Sequence, residues 1–241
     1  MGTHRPILSV LLSLGLCPAT ASAQDSPMQN PMKEHVLASV LFEQLELAPN
    51  DSGTASWDGG GWVGTDLNRF WFKTEGERAD GETEKAELQL LYSHALTAFW
   101  DVQTGFRHDF EPHPNRDWAV LSARGVAPYF YELEGSLFIG EGGQAEVRVK
   151  ASYELLLTQR WIVTPTLETT LYAADDPAVL VGSGLSDLEL GLRIRYEIKR
   201  ELAPYFGVSR LRKFNETADL ARAAGLDTGE TRFVAGLRFW F

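Results

Sequence analysis

The sequence is short of the residues that most metal-handling and disulfide-stapled proteins rely on. Its 241 residues contain one cysteine, three methionines and five histidines. The lone Cys17 has no disulfide partner and no second thiolate with which to build a structural metal site. Basic charge is scarce as well. Lys and Arg number 22 against 33 Asp and Glu, a net charge of −11. No nucleic-acid partner is expected of such a chain, because phosphate recognition needs a basic surface. No apolar run reaches the roughly 18 residues that a membrane-crossing helix needs, which excludes a helical membrane bundle. Disorder is excluded by the opposite feature, since 44% of residues are apolar and 11% aromatic.

What is present begins with an export signal. Arg5, the short apolar run Ile7 to Leu16 and the small residues Ala21-Ser22-Ala23 have the anatomy of a secretory signal peptide over residues 1–23. The large Leu16 directly before Cys17 argues against a lipoprotein, so the cysteine is expected to leave with the signal. Residues 24–38 read as a short disordered periplasmic tail, and 39–241 as the folded domain.

That domain reads as strands throughout. Ala86, Leu88, Leu90 and Tyr92 alternate with Lys85, Glu87, Gln89 and Ser93; Val147, Val149, Ala151, Tyr153 and Leu155 with Glu146, Arg148, Lys150, Ser152 and Glu154. Leu188, Leu190, Leu192, Ile194 and Tyr196 alternate in the same way with charged residues. Runs of about 10 residues exceed the usual strand length and match a tilted bilayer crossing. A soluble sandwich would turn the apolar face inward, whereas a membrane barrel turns it toward lipid. The polar faces decide between them, because they mix both charge signs at alternate positions, as a lumen does. Tyr92, Trp100, Phe110, Tyr153, Trp161, Tyr172 and Tyr196 stand near the ends of the apolar faces as an aromatic girdle. The chain also ends on the alternating row Phe233, Ala235, Leu237, Phe239 and Phe241, which resembles the terminal signal of outer-membrane assembly.

The expected fold is therefore an all-β, antiparallel, transmembrane outer-membrane β-barrel in a Gram-negative envelope, in contact with lipid and lipopolysaccharide. Twelve strands are expected: 41–48, 55–63, 68–75, 84–93, 99–110, 118–124, 128–139, 145–156, 161–172, 187–197, 203–214 and 231–241. If 36–47 is instead a helix and the strands flanking 65–68 merge, the count falls to ten. The two longest outer connections, 173–186 and 215–230, are acidic.

Candidate chemistry is sparse. Met28, Met32 and His35 lie together in the tail, and thioether and imidazole donors at this spacing suit copper, thioether favouring Cu(I). The competing reading is an ordinary polar tail. His108 and His113, with Asp109, Glu111 and Asp117 nearby, offer a second candidate at the barrel mouth, although His108 falls on the lipid-facing side. An isolated interfacial histidine is the competing reading there. No enzyme is expected. Ser93 and His94, the one adjacent nucleophile–base pair, would point to opposite faces of a strand, and no hydrolase or phosphate-loop motif occurs.

Long strings of this chain resemble one family. They are WDGGGWVGTDLNRFWFKTEGE (57–77), WAVLSARGVAPYFYELEGSLFIG (118–140), YELLLTQR (153–160), GSGLSDLELGLRIRYEIKRELAPYFGV (182–208) and TRFVAGLRFWF (231–241). Together they resemble the CopB/PcoB family of outer-membrane copper-resistance proteins. The resemblance implies an exported barrel that binds copper, as Cu(I) or Cu(II), and serves copper resistance and homeostasis by sequestering copper or aiding its export. Periplasmic copper-resistance proteins are implied as possible partners. Many family members have a long N-terminal region of Met-Asp-His-like repeats, of which this chain keeps only Met28, Met32 and His35. A small general channel or structural barrel without metal specificity is the alternative.

Overall fold

A computed structural model describes residues 35–48, 54–79 and 81–241. The signal peptide, most of the tail, Met28 and Met32 lie outside the described residues.

The strands are β1 (Leu37–Ala48), β2 (Thr54–Gly64), β3 (Asn68–Ala79), β4 (Glu82–Ala95), β5 (Trp100–Glu111), β6 (Arg116–Ala127) and β7 (Tyr131–Gly140). They are followed by β8 (Ala145–Ser152), the two-residue β9 (Leu155–Leu156), β10 (Trp161–Tyr172), β11 (Gly184–Tyr196), β12 (Leu202–Lys213) and β13 (Gly229–Trp240). Both β8 and β9 pair with β10, so together they make one crossing. Each strand is antiparallel to its neighbours, and β13 pairs with β1 to close a twelve-stranded cylinder. Closure satisfies every strand edge, which a bilayer demands. It also settles 36–47, which forms a strand because both β2 and β13 need a partner there. β1 begins at Leu37, four residues ahead of the expected strand start at 41.

Alternation distributes the side chains as a barrel requires. Phe106, Leu190, Phe206 and Phe233 stand on the outer surface, with Phe106 at 74% exposure. Glu87, Arg107, Glu146 and Arg148 are buried in the interior. One girdle position differs from expectation: Tyr172 lies on the inward face of β10 and lines the lumen, because it shares parity with Glu168 and Thr170.

β1 and β13 are sealed by side chains as well as by backbone. Phe42 of β1 stacks on Phe239 of β13, ring centroids 5.0 Å apart. Gly59 of β2 makes room for that ring, since a Cβ there would meet Phe42 Cδ1 at 2.5 Å. Val40 and Phe241 exchange backbone hydrogen bonds of 3.0 and 2.9 Å at the same edge.

Both ends of the described chain emerge at one rim, where the connections are short turns. The opposite rim has the longer connections, including 173–183 and the segment with helix α1 (Asn215–Ala223). By this asymmetry the turn rim is periplasmic and the loop rim external. The helix was expected as plain loop. Its inner face consists of small residues, Thr217, Ala218 and Ala221, which pack against the start of β11. Gly182 N–H donates to Thr217 Oγ1 at 2.9 Å, fixing helix to loop.

Candidate functional site

The lumen follows from the inward halves of the strands. Strand closure places charges from non-adjacent strands opposite one another, and they pair across the interior. Lys73 of β3 reaches Glu134 of β7 at 2.7 Å, and Lys150 of β8 reaches Glu75 of β3 at 2.8 Å. Arg148 of β8 contacts Glu87 of β4 at 3.2 Å, while Arg193 of β11 donates to Glu46 of β1 at 2.6 Å. Arg232 of β13 contacts Glu77 of β3 at 2.6 Å. In a low-dielectric interior such pairs are needed to hold the charges at all, because an unpaired one is costly.

Part of the interior is apolar. Leu91, Trp118, Val120 and Phe138 point inward from β4, β6 and β7 and form a buried cluster, with Trp71 packed on it. Arginines cover its polar side. The Arg107 guanidinium lies 4.4 Å from the Phe138 ring centroid and that of Arg148 lies 5.2 Å away. Arg124 covers Trp71 at 4.8 Å. This cation–π layer lets bulky charged groups rest on aromatic faces, and it fills the lumen beside the remaining space.

That space is a cavity of about 970 Å³. Asp66, Thr97 and Asp101 line it near the periplasmic turns, and Pro112, Gln144 and Asp176 line it near the external loops. Its wall includes sixteen Asp and Glu against nine Lys and Arg. Glu43, Asp187 and Glu189 lie in this wall without an ion pair among the described residues, so the acidic excess is not wholly tied up in struts. A cavity lined by one predominant sign concentrates ions of the opposite sign. The described lining contains no His, Cys or Met. Oxygen donors already engaged by Lys and Arg suit transient contact with cations rather than tight capture of a soft ion.

At the external mouth, Asp176 accepts from Gln144 Nε2 at 2.8 Å and pairs with Arg116 at 2.6 Å, drawing the 173–183 loop over the lumen. Asp175 beside it accepts the Ser183 N–H at 2.6 Å, which holds its carboxyl below the usual range.

The sequence-derived candidates fall apart from one another. His35 is exposed just ahead of β1, at the periplasmic rim. His108 faces outward, binds Asp117 Oδ1 through Nδ1 at 2.6 Å and lies edge-on to Phe110. His113 instead takes Asn115 Oδ1 at 2.7 Å and Glu111 Oε1 at 3.2 Å. The two histidines thus have separate partners, and among the described residues no three His, Cys, Asp or Glu converge as metal ligands. Ser93 is buried inside while His94 is exposed at the rim, so the adjacent pair faces apart. The cross-lumen ion pairs and the aromatic layer were not foreseen. The one sequence signal for the layer was that Trp118 and Val120 share parity with Ser122 and Arg124, against the apolar-outward rule.

The comparisons with known proteins agree with this architecture. The family model described as "Copper resistance protein B precursor" matches residues 36–241. Copper resistance protein B of Escherichia coli is 45% identical over 203 residues, covering 84% of this chain and 69% of that protein. A Copper resistance protein B homolog of Pseudomonas syringae pv. tomato is 45% identical over 192 residues, covering 80% of this chain and 65% of its own length. This chain therefore spans about two thirds of those relatives. Among solved structures, the NanC porin superposes with a TM-score of 0.54 at 13% identity, over 84% of this chain and 99% of that one, a likeness of fold.

Proposed function

The chain belongs to the copper resistance protein B family and is an outer-membrane β-barrel; from that premise we propose that it contributes to copper resistance by handling copper ions at two chemically different places. Soft donors precede the barrel in sequence. Met28, Met32 and His35 come shortly before the point at which the chain enters β1, on the periplasmic side. Thioether and imidazole there capture copper from the periplasm or receive it from a periplasmic copper-resistance protein. The lumen then offers hard, acidic surroundings in which a cation dwells briefly, as passage requires binding weak enough to release.

The observation that carries this reading is the composition of the cavity wall: an excess of carboxylates with no described soft ligand. Capture and passage are thereby assigned to different residues. The protein acts without catalysis in this reading, as a copper-binding component of homeostasis.

The test is copper binding by the purified protein with and without residues 24–35, together with Met28→Ala/Met32→Ala/His35→Ala. The triple variant is expected to bind Cu(I) at least tenfold more weakly and to lower copper tolerance in cells. Unchanged affinity and tolerance would remove the tail from the mechanism. The same wall composition also favours a second reading, a general cation-preferring channel without metal specificity. A deletion strain sensitive to copper but not to zinc or osmotic stress separates the two.

A further inference from the structure

The external half of β12 breaks the apolar pattern of the outer surface. Phe206 and Val208 face lipid, and the next two residues of that same face are Arg210 and Arg212, both exposed. Their lateral neighbours are Leu190 and Leu188 of β11 and Thr231 and Gly229 of β13. Neither arginine has a carboxylate partner among the described residues. Arg210 Nη1 donates to Thr231 Oγ1 at 3.2 Å, and the Arg212 guanidinium lies 5.3 Å from the Phe214 ring centroid. The interior arginines behave differently, for Arg107, Arg116, Arg148, Arg193 and Arg232 each engage carboxylates. In a chain with an excess of eleven acidic residues over basic ones, leaving these two unpaired on the lipid side calls for an external anion.

Depth identifies that anion. A strand tilted by about 40° climbs roughly 2.5 Å per residue along the barrel axis. From Leu202 at the periplasmic rim, Arg210 and Arg212 stand roughly 20 to 25 Å up, at the outer edge of an apolar band about 25 Å tall. Arginine is disfavoured within the band but tolerated at its edge, where headgroups begin. Successive same-face positions are about 6.8 Å apart, so two planar guanidinium forks are presented side by side. Such forks match phosphate oxygens bidentately.

We propose that Arg210 and Arg212 form a binding site for the phosphorylated glucosamine headgroup of lipopolysaccharide, with Thr231 orienting Arg210 and Leu188 and Leu190 contacting the acyl chains. The site lies outside the lumen and is independent of the copper reading.

The full chain in detergent micelles, titrated with lipid A and followed by native mass spectrometry, tests it. Arg210→Gln/Arg212→Gln is expected to bind lipid A at least tenfold more weakly than the parent, while Arg210→Lys/Arg212→Lys retains part of the affinity. Arg222→Gln, which removes an exposed arginine paired with Asp219 on α1, is expected to change nothing. Dephosphorylated lipid A and phosphatidylglycerol are expected to bind the parent as weakly as lipid A binds the glutamine variant. Equal lipid A binding by parent and glutamine variant overturns the site. Equal binding of phosphatidylglycerol or dephosphorylated lipid A overturns the assignment to lipopolysaccharide phosphate. Heat-modifiable gel mobility establishes that each variant is folded, and the lysine variant decides the matter if the glutamine variant does not assemble.

Discussion

Arg107 on β5 and Glu146 on β8 meet across two intervening strands, Nη2 to Oε2 at 3.0 Å, with Glu146 wholly buried. Arg107 is held further by Asp109 at 2.6 Å and by the Phe138 face. The pair acts as a strut whose two ends are fixed to different walls of the barrel. Removing Arg107 leaves Asp109 and Glu146 without their shared cation, and breaking a buried pair from one side costs about 3–5 kcal/mol. Arg107→Ala should therefore lower the thermal midpoint of the heat-modifiable band strongly and Arg107→Lys less so. Arg107→Met/Asp109→Asn/Glu146→Gln, which removes the stranded carboxylates as well, should recover much of the loss. A midpoint unchanged in Arg107→Ala would show that the strut bears no load.

The seam offers a second test. Adding a side chain at Gly59 drives Phe42 away from Phe239, and overpacking of this kind costs about 1–3 kcal/mol. Gly59→Val is expected to reduce assembled barrel in urea-gradient refolding into vesicles. Because the conflict is with the Phe42 ring, Phe42→Ala in the same chain should relieve most of it. Additive losses in the double variant would count against this coupling.

Ion preference follows from the cavity wall. Glu43→Gln/Asp187→Asn/Glu189→Gln removes three wall carboxylates that have no ion pair among the described residues while leaving the struts in place. In planar bilayers under a salt gradient, the parent should favour cations and the triple variant should lose that preference severalfold. A reversal potential that does not move would place selectivity elsewhere.

The external 173–183 loop should respond to acid. The Ser183 N–H bond depresses the Asp175 carboxyl below the ordinary value of 3.8, so its contribution to loop order is fully present above that value. It disappears as pH falls through the lower folded value. Amide exchange at Ser183, corrected for intrinsic rate, should stay protected down to about pH 4 and lose protection below it. In Asp175→Ala the protection should already be low at neutral pH. An acid step of the same size in that variant would assign the transition to another group.

Much of the barrel could be read from one property, the two-residue period. It placed twelve crossings with their alternate faces, because lipid on one side and ions on the other impose opposite demands on neighbouring residues. The period was silent where the demand relaxes. Trp118 and Phe138 are accommodated inside because arginine guanidinium groups cover their rings, with Val120 packed in the same cluster, an arrangement that depends on which strands end up opposite each other after closure. Tyr172 has girdle chemistry but the parity of Glu168, and parity decided. Helix α1 escaped notice because its packed face has only Thr217, Ala218 and Ala221, too small to register as an apolar stripe. Pairs such as Lys73 and Glu134 are 61 residues apart, and no local pattern foretells which opposite charge each will find.

The join between first and last strands has a consequence for how the protein comes into use. Glu43 and Glu46 of β1 and Arg232 and Val234 of β13 all belong to the cavity wall, and Arg193 reaches over β12 and β13 to grip Glu46. An unzipped intermediate would lack one side of that wall and could not exclude ions of either sign. If the lumen passes cations as proposed, selective conductance would begin only when the final hydrogen bonds form, and an electrical recording of single insertions would time the last step of biogenesis.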